Sequence, residues 1–266
     1  MIDPWLVALD IDGTLMREDG VVSVEVIAEV QRVRDAGHEV MLATGRSVSM
    51  TLSVLEKFQL TPRYVVCCNG AITLGRDIDA PGGYSRVAVD AFDPSEVLAT
   101  IRETLGDASY AVEDEEGFYR YTGSFPESAL GISSEQVAFE ELGAHLATRV
   151  VVISPEHQIE DFLSIVEKMG LHKVTYNVGW TAWLDIAPDG VNKATALERV
   201  REWLDIPRSR VIAVGDGRND IDMLRWASVE GRGVAMGQAP DEVLAVANEV
   251  TLSDLDDGIA ELFRTF

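Results

Sequence analysis

At 266 residues the chain is long enough for two domains, each with its own core, and 47% hydrophobic with 25% charged residues is ordinary for a globular protein. A net charge of −23, spread along the chain rather than gathered in a tail, excludes nucleic acid and anionic membranes as natural partners. No apolar run spans a bilayer, no basic-then-apolar leader opens the chain, and the adjacent Cys67 and Cys68 show neither metal nor disulfide spacing, so a cytoplasmic protein with two small buried thiols is expected.

The apolar run Trp5 to Leu9 predicts a short buried strand ending in Asp10, Ile11, Asp12, Gly13 and Thr14. Carboxylates at i and i+2 lie on one side of an extended chain. Held that close, they repel unless a cation, a proton or a hydrogen-bond donor compensates them. An Asp-rich turn explains the stretch equally well by itself. A calcium loop does not, because the glycine comes too early and Thr14 stands where a third acidic or amide ligand is expected.

Ser23 then reads as an N-cap, Val26, Val30 and Val33 recur at helical spacing, and Gly37 ends the helix. A strand from His38 to Ala43 runs into Thr44, Gly45 and Arg46, and a helix covers about Ser47 to Phe58. A third strand, Tyr64 to Cys68, leads into Asn69 and Gly70. Strands alternating with helices predict a parallel, doubly wound sheet.

The grammar changes near Ala80. Ser85 to Asp90 reads as a strand, and Asp93, Pro94 and Glu96 as a helix start with its capping box. The run Tyr110 to Tyr121 reads as a hairpin around Glu116–Gly117. A similar order recurs: a strand from Thr148 to Ile153, a helix opened by Ser154–Pro155 and closed by Gly170, and a hairpin turning at Gly179. Two strand–helix–strand–strand units describe an inserted α+β domain, with Thr122 to Ala147 unassigned between them. Ala80–Pro81–Gly82 leads in and Ala187–Pro188–Asp189–Gly190 leads out, a pairing that suggests a hinge.

The first pattern resumes with a helix starting at Asn192 and Lys193 and a strand from Val211 to Val214 that runs into Gly215, Asp216, Gly217, Arg218, Asn219 and Asp220. A helix near 221–227, a strand at 233–236, a helix at 240–247 and a final helix through Phe263 complete the chain. The expected fold is α/β: a doubly wound, Rossmann-like parallel-sheet core (1–82 and 189–266) with an inserted α+β cap domain (83–188).

Asp10/Asp12, Thr44/Arg46, Lys193 and Asp216/Asn219/Asp220 would then meet at the carboxyl edge of one sheet, where such folds bind ligands. Three carboxylates there favour a hard divalent cation, and Mg²⁺ suits them because it leaves coordination for water and phosphate. A hydroxyl, an amide, an ammonium and helix N-termini suit phosphoryl oxygens. These parts describe phosphoryl transfer.

The stretches DIDGTL (10–15), ATGR (43–46), NKATAL (192–197) and GDGRNDIDML (215–224) resemble the four motifs of the haloacid dehalogenase-like phosphohydrolases. The likeness is to the Cof-type branch, whose α/β cap lies between the second and third motifs. GVAMGQAPDEVLAVANEVT (233–251) and DDGIA (256–260) resemble that branch's C-terminal pattern. Gln238 departs from it, standing where the branch usually has asparagine, and is left out of the site.

The resemblance implies Asp10 as nucleophile, forming an aspartyl-phosphate, and Asp12 as acid and then base. It implies Mg²⁺ on Asp10, the Asp12 carbonyl and Asp216, with Asp220 as ligand or neighbour, and a phosphoryl group held by Thr44, Lys193 and Asn219. Arg46 and Asn69 are expected on the substrate side. Asp222 reads as a helix first-turn acid, and Arg218 as a solvated loop residue. Arg120, Tyr121, Trp180 and Trp183 are candidate substrate readers in the cap. The expected activity is hydrolysis of a small phosphorylated metabolite, a sugar phosphate first and a cofactor phosphate next, by a monomer or small homo-oligomer. A phosphomutase and a sugar-phosphate binding protein without turnover are the alternatives.

Overall fold

The structure, a computed structural model, describes residues 3–126, 130, 133–171, 174–179 and 182–265. Trp180 lies outside them. The chain begins β1 (Leu6–Leu9), α1 (Val24–Asp35), β2 (Glu39–Leu42), α2 (Val48–Phe58), β3 (Tyr64–Cys67), β4 (Ile72–Arg76) and β5 (Tyr84–Val89). It continues α3 (Ser95–Thr104), β6 (Ser109–Asp114), β7 (Tyr119–Thr122), β8 (Ser134–Gln136), β9 (Ala147–Ile153), α4 (Ile159–Met169), β10 (Val174–Val178) and β11 (Trp183–Pro188). It closes with α5 (Lys193–Trp203), β12 (Val211–Gly215), α6 (Ile221–Ser228), β13 (Arg232–Ala235), α7 (Asp241–Leu244), β14 (Glu249–Val250) and α8 (Gly258–Arg264).

Strand β1 sits inside an all-parallel sheet of order β14-β13-β12-β1-β2. All four of its residues are buried, as a strand covered on both faces requires. Val7 and Leu9 pack with Val26, Val30 and Val33 of α1 and with Phe58 and Phe263. Leu6 and Ala8 point the other way, toward Leu197 and Val200 of α5. Each fully buried Val or Leu contributes roughly 1.5–3 kcal/mol. This places the end of β1 between its two neighbours β2 and β12, with helices on both sides. The Ser23 hydroxyl accepts from Val26 N at 3.0 Å and starts α1 as expected.

A second sheet, of order β10-β11-β9-β6-β7-β8, is covered on one face by α3 and α4 through Val97, Ile101, Phe162 and Val166. Its register sets Asn177, Asp185, Val151 and Ala111 in one row across β10, β11, β9 and β6. The expected internal repeat holds in this sheet for β6 and β7 and for β9, β10 and β11, but not for β5. That strand pairs antiparallel with β4 in a third sheet, β3-β4-β5. The physical reason is proximity along the chain: β4 ends eight residues before β5 begins, and the turn between them brings the strands edge to edge. Two other expectations shift. Helix α4 starts at Ile159, not Ser154, because Ser154 N donates to Ala182 O at 2.9 Å and extends the strand ladder. The unassigned stretch contains β8, parallel to β7.

Among the described residues no helix is long and apolar enough to cross a membrane.

Candidate active site

Three strands of the parallel sheet end in site residues. Asp10 follows β1, Thr44 lies just past β2, and Asp216 follows β12. Lys193 is the first residue of α5, whose N-cap Asn192 accepts through its side chain from Thr195 N. Asn69 follows β3 with φ 51°, a left-handed conformation that asparagine tolerates.

The deepest contacts join residues far apart in the chain. Lys193 Nζ donates to Asp10 Oδ1 and to Asp220 Oδ1, each at 2.7 Å, and the lysine side chain is fully buried. Asp220 Oδ2 accepts from the backbone N–H of Asp216 at 3.0 Å and of Gly217 at 2.9 Å. Asp220 therefore spends its carboxylate on the lysine and on shaping the loop after β12. Thr14 Oγ1 donates to Asp216 Oδ1 at 3.0 Å. Among the described residues, Asp10 Oδ2 and Asp216 Oδ2 accept no hydrogen bond.

Asp10, Asp216 and Asp220 each offer an oxygen within 4.8 Å of the others, and all three are buried. Their chemistry fits a hard divalent cation. Burial pushes the Asp10 carboxyl well above the usual range, Asp220 adds to this, and Lys193 opposes it. Burial, then Asp220, lifts Asp216 to about 7, with Thr14 and Lys193 pulling it down. One lysine thus leaves the cluster short of positive charge, the deficit a dication would fill. Burial disfavours the charged form of Lys193, but Asp10 and then Asp220 outweigh that and hold it protonated.

The turn after Asp10 favours glycine. Gly13 has φ 72°, and a Cβ there would lie 2.2 Å from Asp216 Oδ2. Gln238 Nε2 donates to Gly13 O at 2.5 Å, and its Oε1 accepts from Asp254 N at 3.0 Å. The residue that departs from the branch pattern therefore ties the aspartate loop to the backbone of Asp254.

A cleft of about 440 Å³ opens above these groups, between the parallel sheet and the β9–β10–β11 side of the second sheet. Asp10, Asp12, Thr44, Arg46, Asn69, Asp216 and Asn219 all line it; Lys193 and Asp220 lie behind Asp10 instead. The Asp12 carboxylate is half-exposed and clamped by Arg46, Nε to Oδ2 at 2.8 Å and Nη2 to Oδ1 at 2.5 Å. Asn219 Nδ2 donates to Asn69 Oδ1 at 3.1 Å. From the second sheet come Arg149, Asn177, Trp183 and Asp185. Of the cap candidates, Trp183 lines the cleft, whereas Arg120 pairs with Asp114 and Tyr121 packs on Phe125. Asp222 accepts from Asn192 Nδ2, and Arg218 pairs with Glu242.

Sequence reasoning missed Thr14, Arg149 and Asp185, and it named Gln238 but left it out of the site. Thr14 lies inside the DIDGTL motif and was open to discovery as the nearest hydroxyl to the carboxylates. Arg149 and Asp185 carried no local signal.

The sequence profile of the haloacid dehalogenase-like hydrolases matches residues 7–263. The chain belongs to the haloacid dehalogenase-like hydrolases, in their Cof-type branch. This hydrolase is 28% identical to a 5-amino-6-(5-phospho-D-ribitylamino)uracil phosphatase of Bacillus subtilis strain 168, over 99% of this chain and 97% of that one. It is 29% identical to a pyridoxal phosphate phosphatase of Escherichia coli K12, over 96% of each. Its fold superposes on that of a subclass IIB sugar phosphatase of the same superfamily with a TM-score of 0.81, at 22% identity and 98% coverage of both chains. The parallel sheet with its added, mainly antiparallel second sheet is thus the fold of this hydrolase family.

Proposed function

We propose that this hydrolase is a Mg²⁺-dependent phosphatase that cleaves a small phosphorylated metabolite, a sugar phosphate by class, through an aspartyl-phosphate on Asp10. The observation that carries this reading is the buried Asp10–Lys193–Asp220 bridge beside Asp216. It fixes one Asp10 oxygen and leaves the other, Oδ2, unengaged at the floor of the cleft. Asp10 and Asp216, with the Asp12 main-chain carbonyl, are the groups that would hold Mg²⁺, and Asp220 orients their loop. Bound there, the cation supplies neutralisation of the carboxylates and of the phosphoryl oxygens.

In the first step Asp10 Oδ2 bonds to phosphorus as the ester P–O bond breaks. Asp12 gives its proton to the departing oxygen. In the second step Asp12 takes a proton from water, whose oxygen attacks phosphorus, and Asp10 is released with inorganic phosphate. Thr44 and Asn219 hold the phosphoryl oxygens, and the Lys193 ammonium offsets charge from beneath Asp10. Residues 83–188 serve as a cap between the core parts 1–82 and 189–266, and the presence of Arg149, Asn177 and Trp183 on the cleft wall supports that role. The enclosure and the small phosphorylated compounds in the relatives' names support a metabolite as substrate.

The test is hydrolysis of p-nitrophenyl phosphate. Release of phosphate should need Mg²⁺, cease with a chelator and vanish in Asp10→Asn. Full activity in Asp10→Asn overturns the mechanism.

A further inference from the structure

Building on the phosphatase reading above, we propose that Arg149, aligned by Asp185, reads the leaving group and selects monophosphates whose leaving group is uncharged and bears hydroxyl or carbonyl oxygens. Arg149 lies on β9 and Asp185 on β11. The arginine grips the carboxylate in two bonds, Nε to Oδ1 at 2.6 Å and Nη2 to Oδ2 at 2.7 Å. Their side chains are only 10% and 12% exposed. A pair buried this far is a poor source of stability, because desolvation offsets its attraction. The same sheet face carries Ala111, Val151 and Ile153, so an aliphatic residue would have closed it equally well.

The free edge of the guanidinium indicates what the pair does. The two bonds to Asp185 leave Nη1 with no acceptor among the described residues, yet it is not a sealed, unsatisfied donor. Arg149 is itself one of the residues that line the cleft. Because the guanidinium is planar and forked, anchoring one edge fixes the direction of the other.

The anchor is tied to the phosphoryl end of the site. Asn219 Nδ2 donates to Asn69 Oδ1 at 3.1 Å, and Asn69 Nδ2 donates to Asp185 Oδ2 at 2.9 Å. This chain of bonds crosses from the loop after β12 to β11 and sets the arginine at a fixed span from Asp10. Asn69 and Asp185 are therefore positioning residues.

Charge decides what kind of acceptor fits. Three arginines line the cleft, and each already holds a carboxylate: Arg46 with Asp12, Arg149 with Asp185, Arg218 with Glu242. Glu113 stands directly across from Arg149 in the β6–β9 register and is buried too. In a chain of net charge −23, no cleft arginine is left uncompensated to receive a second anion. A neutral oxygen acceptor meets Nη1 without that difficulty, and Met50, Val178 and Trp183 offer an apolar wall to the carbon skeleton.

The experiment measures kcat and KM of the full chain with Mg²⁺ on hexose, pentose and polyol monophosphates, a hexose bisphosphate and p-nitrophenyl phosphate. The best hydroxyl-bearing monophosphate should exceed the bisphosphate in kcat/KM by about tenfold or more. In Arg149→Lys, KM for that monophosphate should rise by about tenfold more than KM for p-nitrophenyl phosphate, with kcat moved less. Preference for the bisphosphate, better hydrolysis of p-nitrophenyl phosphate than of every hydroxyl-bearing ester, or equal losses on both kinds of ester in Arg149→Lys overturns the inference alone. If Arg149→Lys fails to fold by its thermal melt, the substrate comparison on the unaltered chain decides. Absence of phosphate release from every ester removes the phosphatase reading, and this inference with it.

Discussion

Lys193 donates from Nζ to Asp10 Oδ1 at 2.7 Å across 183 residues of sequence, with the lysine side chain fully buried and that of Asp10 only 7% exposed. A second bond to Asp220 makes the lysine the internal counter-ion of two carboxylates. Removing it in Lys193→Met leaves both acids buried without their counter-ion, which should cost about 3–5 kcal/mol of stability and abolish turnover. Urea unfolding measures the first and p-nitrophenyl phosphate hydrolysis the second. An unchanged urea midpoint would show that the bridge is not formed in solution.

Asp216 couples stability to pH and metal. Without metal its pKa sits at about 7, raised from 3.8 by burial and then by Asp220. Between those values the folded chain keeps a proton that the unfolded chain has lost. The contribution is thus complete below the unfolded value and disappears as pH rises through about 7. A cation replaces that proton, so Mg²⁺ should raise the melting temperature more at about pH 8 than at about pH 5. Equal stabilisation at both values, compared with a chelator control, would contradict the assignment.

Asp12 should separate chemistry from folding. Its side chain is 55% exposed against 7% for Asp10, and its partner Arg46 sits at the cleft edge. In Asp12→Asn, kcat should fall by about 10²–10⁴-fold. Stability should stay within about 1 kcal/mol, as expected for a surface pair. A melt lowered as far as that of Lys193→Met would assign Asp12 a structural role instead.

Gly13→Ala tests the turn between the two acids. The new methyl would meet Asp216 Oδ2, and the backbone is left-handed. The strain costs about 1–2 kcal/mol. Displacement of Asp216 should raise the Mg²⁺ concentration needed for half-maximal activity by about tenfold or more. A metal titration that overlays the unaltered protein would refute the contact.

The two thiols should be silent. Cys67 and Cys68 are buried, and burial pushes Cys67 to about 12 and Cys68 well above its ordinary value. Ellman's reagent should label neither until denaturant is added. Fast labelling of the folded chain would mean that β3 and the loop beyond it open readily.

The sequence by itself determined the order of the parts. Asp10, Thr44 and Asp216 were legible because each follows an apolar run with a turn residue beside it, and strand ends are written in local periodicity. Lys193 was legible as the first residue of a capped helix. The sheet that collects them follows from alternating strands and helices. Only the tertiary structure decided which groups meet. Arg149 and Asp185 lie 36 residues apart and pair because β9 and β11 are neighbours in one particular register. Gln238 reaches Gly13 across 225 residues, and its longer amide made that contact unreadable from the motif. Strand β5 pairs with β4 rather than with the second sheet because the short connection between them closes at a low entropic cost. Register and strand partnership depend on side chains distant in sequence, so the residues that line the far wall of the cleft were settled by packing rather than by any pattern in the chain.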